Sequence, residues 1–375
     1  MSKDDRKLKI AILGTRGIPA RYGGFETFAE ELSTRLVSRG HQVTVYGRHY
    51  WGQVGRKGEL YRGVTLRDSV TVGHKYLETP LASLSSFIDL WRRDFDAAIL
   101  CNAANSPFAW LVRLRGVPLL INVDGIERRR SKWNRLGRAW YRLGELSSVL
   151  WASRVIADAE VIADYYREHY KCTPAVITYG ATPQLRPPGP TLAQFGLTAG
   201  NYLLYVSRLE PENNAALVAM AYRAVATEMP LVIVGDAPYA SKYKESIRAA
   251  ADERVIFTGF QFGEAYQELR SNCYLYIQAS EVGGTHPALV EAMAYGNCVV
   301  ANDVPEHREV VQDCGVYYEK NSVSDLSKQL NMLVANNDLA RSLGARAAAR
   351  AAAVYQWDRI VGEYEREMLG ALKVP

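Results

Sequence analysis

The chain has 375 residues, 48% of them hydrophobic and 23% charged, an ordinary globular composition that excludes collagenous, disordered and membrane-embedded proteins. Its length exceeds what one hydrophobic core usually serves, so two domains are expected. Five scattered cysteines without a CxxC pair argue against a disulfide framework or a structural zinc, and the net charge of +5 is mild.

The opening MSKDDRKLKIAILG has no secretory h-region, and its apolar run reads as a first buried strand, Lys9–Leu13, closed by Gly14. A loop with the glycine turns Gly14/Gly17 and Gly23/Gly24 follows, then a helix spaced by Phe25, Phe28, Leu32 and Leu36 that stops at Gly40. His41–Tyr46 is the next strand. The glycines do not follow G-x-G-x-x-G, and the second strand ends in Gly47-Arg48 without an acid for a ribose; Arg48 leaves a phosphorylated ribose open as an alternative. The loop carrying Arg16, Arg21 and Tyr22 suits a reach across a cleft, with an ordinary surface loop as the plainer reading.

Val64–Leu66, Ala97–Leu100, Pro118–Val123, Arg154–Ala157 and Val176–Tyr179 alternate with helical stretches, which predicts a parallel sheet covered on both faces. Ligands of such sheets sit beyond the carboxyl ends of the strands, where Asn102, Asp124, Asp158 and Tyr179 fall. Arginines and lysine crowd the run from Arg113 to Arg142, with only Asp124 and Glu127 opposing them, and this excess fits an anionic partner. Trp133 and Trp140 stand among the cations, so an anionic membrane or an acceptor pyrophosphate is expected at Arg128–Arg142; a solvated basic face is the alternative. No nucleic-acid-binding fold motif accompanies the charge.

The proline-rich Thr182–Leu197 reads as a linker, giving domains at 1–183 and 198–355, a connection at 184–197 and a C-terminal helix at 356–375 that can pack back on the first domain. Strands at Tyr202–Val206, Leu231–Val234, Val255–Phe257, Tyr274–Ala279, Cys298–Ala301 and Val316–Tyr318 predict a second doubly wound sheet. Helices at Arg341–Val354 and Trp357–Leu372 close the chain.

Within the second series, EVGGTHPALVEAMAYG (Glu281–Gly296) reads as a glycine turn entering a helix. Gly283 and Gly284 admit a ligand to the backbone, Thr285 or His286 lies at the N-cap, and Pro287 suits the first helical position. The helix start is a seat for phosphate, and Glu291 one turn on is an acceptor for sugar hydroxyls. Together they suggest a nucleotide-sugar pocket, against the plainer reading of a capped helix with a solvated glutamate.

Two Rossmann-like halves, that turn, and SRLEPENN after the second half's first strand resemble the retaining glycosyltransferases of the GT-B fold, α/β proteins with two doubly wound domains facing a cleft. GTRGIPARYGGFET (Gly14–Thr27) resembles the opening of the bacterial rhamnosyltransferase group, as do NVDGIERRRSKW, TYGA and RLEPENN further on. The resemblance implies transfer of L-rhamnose from a dTDP donor, with retention, to a lipid-pyrophosphate-linked or oligosaccharide acceptor during surface polysaccharide assembly. It implies that Arg208 neutralises the donor diphosphate, that Glu291 holds the ribose, and that Arg16, Gly17, Tyr22, Gly23, Gly24 and Asn102 serve the acceptor. Asp158 and Tyr179, with Asp124 as runner-up, then orient the acceptor hydroxyl.

The chain departs from the superfamily pattern twice. Asn213 stands where a lysine is expected, and Gly283 where a first acid is expected. Arg16 or another basic residue is the expected substitute for the lysine; Thr285, His286 and backbone N–H groups are the expected substitutes for the acid. No Asp-x-Asp follows a strand and no His/Cys cluster has ligand spacing, so a metal-independent enzyme without a bound cofactor is expected, cytoplasmic or peripheral on the inner face of the membrane. A catalytically silent nucleotide-sugar-binding partner and an NAD(P)-dependent oxidoreductase are the alternatives.

Overall fold

The computed structural model describes residues 6–20, 23–48, 58–74, 77–130, 133–237 and 241–373. The chain forms two compact units: Met1–Arg129, Trp133–Tyr179 and Trp357–Pro375 make the first, Arg130–Lys132 and Gly180–Gln356 the second.

The first unit is built on β1 (Lys9–Leu13), β2 (Gln42–Arg48), β3 (Leu60–Tyr61), β4 (Val64–Ser69), β5 (Ala97–Cys101), β6 (Leu119–Asn122), β7 (Arg154–Ala157) and β8 (Ala175–Val176). Their order is β3-β4-β2-β1-β5-β6-β7-β8, parallel except for the short β3 against β4. The helices are α1 (Gly24–Ser38), α2 (Glu78–Trp91), α3 (Trp110–Leu114), α4 (Arg135–Trp151) and α5 (Glu160–Tyr170). Continuous apolar strands follow from burial on both faces: Ile10 and Ile12 enter one core, Ala11 and Leu13 the other.

Helix α4 is inverted relative to an ordinary surface helix. Its buried residues are Gly137, Gly144, Glu145, Ser147 and Ser148. A Cβ at Gly144 would lie 2.3 Å from the Ala103 carbonyl oxygen, so only glycine permits this approach to the Ala103–Phe108 turn. Trp140 donates its indole N–H to the Ala104 carbonyl at 3.0 Å and packs on Phe108, while Trp133 packs on Tyr141. Both tryptophans, expected at a membrane contact, are partly buried and pack against neighbouring side chains of their own unit.

The second unit contains β9 (Leu203–Val206), β10 (Leu231–Val234), β11 (Val255–Gly259), β12 (Leu275–Gln278), β13 (Cys298–Asn302) and β14 (Val316–Tyr318), ordered β11-β10-β9-β12-β13-β14 and parallel throughout. Helices α6 (Pro190–Gln194), α7 (Ala215–Tyr222), α8 (Ser241–Ala250), α9 (Gly263–Ser271), α10 (Pro287–Ala294), α11 (Pro305–Val311), α12 (Val323–Val334) and α13 (Asn337–Val354) surround it. The stretch read as a linker is folded into this unit. The Glu268 carboxylate accepts the N–H groups of Gly189, Thr191 and Leu192 at 2.8, 3.2 and 2.9 Å, capping α6 from a distant helix. Burial alone would raise that carboxyl, but the Leu192, Thr191 and Gly189 donors outweigh it and hold it below the usual range.

The last helix, α14 (Trp357–Ala371), belongs to the first unit. Trp357, Tyr364 and Met368 join its core, with Phe28 ring centroids 6.3 Å from Trp357 and 5.3 Å from Tyr364. Burying a side chain such as Phe28 contributes about 1.5–3 kcal/mol. Asn122 donates to the Tyr364 hydroxyl at 2.8 Å, and His41 meets Glu365 at 2.8 Å.

Candidate functional site

Strand order in the second unit reverses between β9 and β12, and a doubly wound sheet opens a crevice at the carboxyl ends of the strands where this happens. Arg208 follows β9 and the Glu281–His286 turn follows β12. Two hydrogen bonds lace these loops together: Glu281 N–H to the Glu212 carbonyl at 3.0 Å, and the Asn214 amide to the Ala279 carbonyl at 3.0 Å. Arg208 is partly exposed, with Nη1 3.5 Å from Glu210 Oε1. Asn213 has a structural place. It is buried, and its amide donates at 2.7 Å to the Arg208 carbonyl, shaping the loop that carries the arginine. Arg130, grouped with this unit, lies 3.4 Å from Glu212 and 3.8 Å from Glu210, a second cation at the same end.

Of the two N-cap candidates, Thr285 and His286, it is His286 that caps α10, with Pro287 as the first helical residue; the cap makes no side-chain hydrogen bond. Neither Gly283 nor Gly284 takes a positive φ. Glycine at 283 answers a different need: a Cβ there would meet the His286 ring, 2.3 Å from Cε1 and 2.6 Å from Nε2. The imidazole thus lies over the backbone where an acid at 283 would begin. Burial, then His307 and Arg130, push the His286 pKa well below its ordinary value, so the ring is neutral. Its neighbour His307, with ring centroids 5.0 Å apart, is buried and has a pKa lowered to about 4, chiefly by desolvation. His307 Nδ1 bonds the Asn302 carbonyl at 2.8 Å as donor, leaving Nε2 to accept from Gln278 at 3.3 Å. Thr285 is buried in the same turn.

Glu291 lies on α10 with 22% of its side chain exposed, and its Oε2 is 2.5 Å from Nη1 of Arg270, which is 1% exposed. The guanidinium sits 4.0 Å from the centroid of the Tyr266 ring and also bonds that tyrosine's hydroxyl. Arg270 is a positioning residue that the sequence reading missed. Its guanidinium and the Tyr266 hydroxyl both meet Oε2, one edge of a carboxylate that keeps part of its surface exposed. A charged residue in the last turn of a helix is ordinarily solvated, so nothing local marks it.

In the first unit the order reverses between β1 and β5. Gly14, at φ 88, is held there by close approach: a Cβ would lie 2.3 Å from the Cys101 carbonyl oxygen. Arg16 follows, its N–H donated to Glu26 at 2.9 Å and its Nε 3.6 Å from Glu78. Gly17, at φ 109, donates its N–H to the Thr15 hydroxyl, while Gly23 is the N-cap of α1 and Gly24 its first residue. Tyr22 lies outside the described residues. Asn102 takes a capping role, its carboxamide oxygen accepting the Ala104 N–H at 2.9 Å. Arg48, the residue that kept a phosphorylated ribose open, is buried and bonds Glu78 at 2.6 Å.

Asp124, Asp158 and Tyr179 come together beyond the ends of β6, β7 and β8. Asp124 takes φ 44 with its N–H on the Asn122 side chain at 3.1 Å, and Asp158 is fully buried. Tyr179 is buried in edge-to-face contact with Phe25 and Phe28, ring centroids 6.5 and 5.6 Å away. Burial, then the fields of Asp124 and Asp158, push its phenol well above the ordinary value, so it remains a proton donor. Tyr364 of α14 is raised by burial and feels the same two carboxylates, a member of this group that sequence order hides. Paired carboxylates beside protonated phenols can accept from and orient a hydroxyl. Among the described residues, no three His, Cys, Asp or Glu side chains are grouped as a metal site requires, and no helix is long and apolar enough to cross a membrane.

The family model "Glycosyltransferase Family 4" matches residues 22–181 and the model "Glycosyl transferases group 1" matches residues 193–350. N-acetyl-alpha-D-glucosaminyl L-malate synthase of Bacillus anthracis is 27% identical over 168 residues, and an uncharacterised glycosyltransferase of Methanocaldococcus jannaschii is 25% identical over 172. Each match spans 44% of this chain and 44% of the relative's length. Among solved structures, sucrose-phosphate synthase from Thermosynechococcus elongatus superposes with a TM-score of 0.80 at 17% identity, covering 98% of this chain and 100% of that one. HepE of Anabaena in complex with UDP-glucose gives 0.79 at 17% identity, covering 97% and 100%. The chain has the GT-B fold, two Rossmann-like α/β domains, and both halves match glycosyltransferase models.

Proposed function

We propose that this GT-B protein is a glycosyltransferase that takes a nucleotide sugar at the β9/β12 end of its second unit and an acceptor on its first. The observation that carries this reading is the lacing of the loop after β9, which carries Arg208, to the loop after β12, which leads into α10. In this reading the Arg208 guanidinium grips the diphosphate, with Arg130 as a second cation in place of the lysine absent at Asn213. Glu291, steadied by Arg270, accepts the ribose hydroxyls. Thr285, neutral His286 and the turn's N–H groups face the sugar.

On the first unit, Asp158 and Tyr179 orient the acceptor hydroxyl, with Asp124 beside them. The sugar is L-rhamnose from dTDP and the acceptor a lipid-pyrophosphate-linked or oligosaccharide chain of a surface polysaccharide, as the GTRGIPARYGGFET run suggests. Transfer proceeds with retention: the departing phosphate takes the acceptor proton while Arg208 and the α10 start hold its charge, without a metal. A double displacement lacks its carboxylate, since position 283 has no side chain.

The test is thermal stabilisation by a panel of dTDP-L-rhamnose, UDP-glucose and UDP-N-acetylglucosamine, the uridine arm being favoured by the nucleotide in the HepE structure. A ligand at a hundred times its Kd stabilises by about 2.7 kcal/mol. The stabilising sugar then enters a transfer assay, with NMR of the product's anomeric configuration and with and without a chelator. Indifference to every nucleotide sugar refutes the reading; an inverted product, or activity lost to the chelator and restored by magnesium, refutes its mechanism.

A further inference from the structure

The exposed side of α4 carries the chemistry that its buried side lacks. Leu136, Leu143, Leu146 and Leu150 are 78, 47, 44 and 60% exposed, a leucine stripe along four turns. Arg135, Arg138 and Arg142 are exposed beside it. Acid is missing from that side: the helix has one, Glu145, and it is buried, accepting from Arg128 at 3.1 Å, Tyr165 at 2.9 Å and Tyr170 at 2.6 Å. An open depression of about 450 Å³ next to the stripe is lined by Arg128, Arg138, Ala139 and Arg142.

Four leucines on one side of a helix, half to mostly exposed, leave a contiguous apolar area in water that burial against a partner would remove. A helix ordinarily turns such a stripe inward. Here the glycine and serine side is the one that packs, because only small residues admit the Ala103–Phe108 turn at backbone contact. The leucines are left outward by construction, and the only charges among them are positive. That pairing of an apolar stripe with cations fits the interface of a bilayer containing anionic lipid, where leucines enter the acyl boundary and arginines meet headgroup phosphates. A second copy of the same face would set arginine against arginine, which is repulsive.

We propose that α4 docks the first unit on an anionic membrane surface, with Leu136, Leu143, Leu146 and Leu150 inserted and Arg138 and Arg142 on the lipid phosphates. The proposal stands apart from the assignment of activity, since its test reads partition and not transfer. The full chain is floated with vesicles of phosphatidylcholine alone and with phosphatidylcholine containing one-third phosphatidylglycerol. The unmodified protein is expected to float with the anionic vesicles and not with the neutral ones. Leu136→Ser/Leu143→Ser/Leu150→Ser should lower partition at least tenfold while its thermal unfolding and monomeric size are unchanged. Arg138→Gln/Arg142→Gln should lower it about 25-fold, roughly fivefold per arginine. Recovery of the unmodified protein in the soluble fraction with both vesicles overturns the proposal, as does equal flotation of the leucine variant. A dimer that the leucine substitutions dissolve, in a protein that does not float, assigns the face to a second copy and overturns it equally.

Discussion

The carboxylate of Glu291 meets the guanidinium of Arg270 at 2.5 Å, and the arginine is the buried partner. Removing the glutamate strands a charge inside the protein. Glu291→Ala is therefore expected to destabilise by about 3–5 kcal/mol, and Arg270→Met/Glu291→Ala by less than the sum of the single changes. Urea unfolding of the double-mutant cycle checks this; additive losses would show that the pair is not coupled. In turnover, Arg270→Lys should raise the KM for the nucleotide sugar several-fold with kcat nearly kept.

Gly283 and His286 compete for one space. Gly283→Ala puts a methyl 2.3 Å from Cε1 of the imidazole, so the ring must leave its place. Affinity for the nucleotide sugar should fall about tenfold, roughly 1.4 kcal/mol. Gly283→Ala/His286→Ala should recover the backbone of the turn and with it the affinity for the nucleotide alone. Calorimetric titration with the nucleoside diphosphate reads both variants; unchanged binding by Gly283→Ala removes the turn from the site.

Acid should weaken the second unit through His307. Its folded pKa of about 4 lies below the ordinary 6.5, burial being the main cause. The unfolded chain thus takes up a proton that the folded one refuses as pH falls from 6.5 to 4. Stability should drop by about 1.4 kcal/mol per pH unit in that window, about 3 kcal/mol in all, with no contribution above it. Denaturant midpoints of the parent and His307→Gln between pH 7.5 and 5 measure the difference. Parallel pH slopes would show that His307 is not the group.

Arg208 and Asp158 should separate binding from turnover. Arg208→Ala is expected to weaken nucleotide-sugar binding by about 2–3 kcal/mol and turnover with it, as loss of a charge-assisted contact does. Asp158→Asn should lower kcat by about 10²–10⁴ and leave nucleotide-sugar affinity within twofold. Equal effects of the two substitutions on affinity would contradict the assignment of one to each unit.

Short-range chemistry made much of this legible in the sequence. β1, β7, β10 and β14 have the predicted bounds, because apolar runs closed by turn residues leave little choice, and Pro287 opens α10 as read. What escaped depends on partners far along the chain. The proline-rich stretch looks like a linker until Glu268 caps it, and Glu291 looks solvated until Arg270 arrives beneath it. Asn102 and Asn213 carried the right composition for ligand contact, yet each is bonded to nearby backbone. Trp133 and Trp140 resembled interfacial anchors, and the exposed leucines of α4 drew no reading from the sequence. Gly144 decides which side of the helix approaches the Ala103–Phe108 turn, and Gly137 makes room for the Trp133 ring.

The position of α14 sets a schedule for biosynthesis. Trp357, Tyr364 and Met368 complete the core of the first unit, yet they are translated after all of Gly180–Gln356. At roughly 5–20 residues per second that interval is on the order of 10–40 s. Through it the nascent first unit presents an open apolar groove around Phe28 and Tyr179, while the second unit already has every residue of its sheet. The domain begun first at the ribosome is thus the one finished last, and its window for chaperone capture is written into the order of the chain.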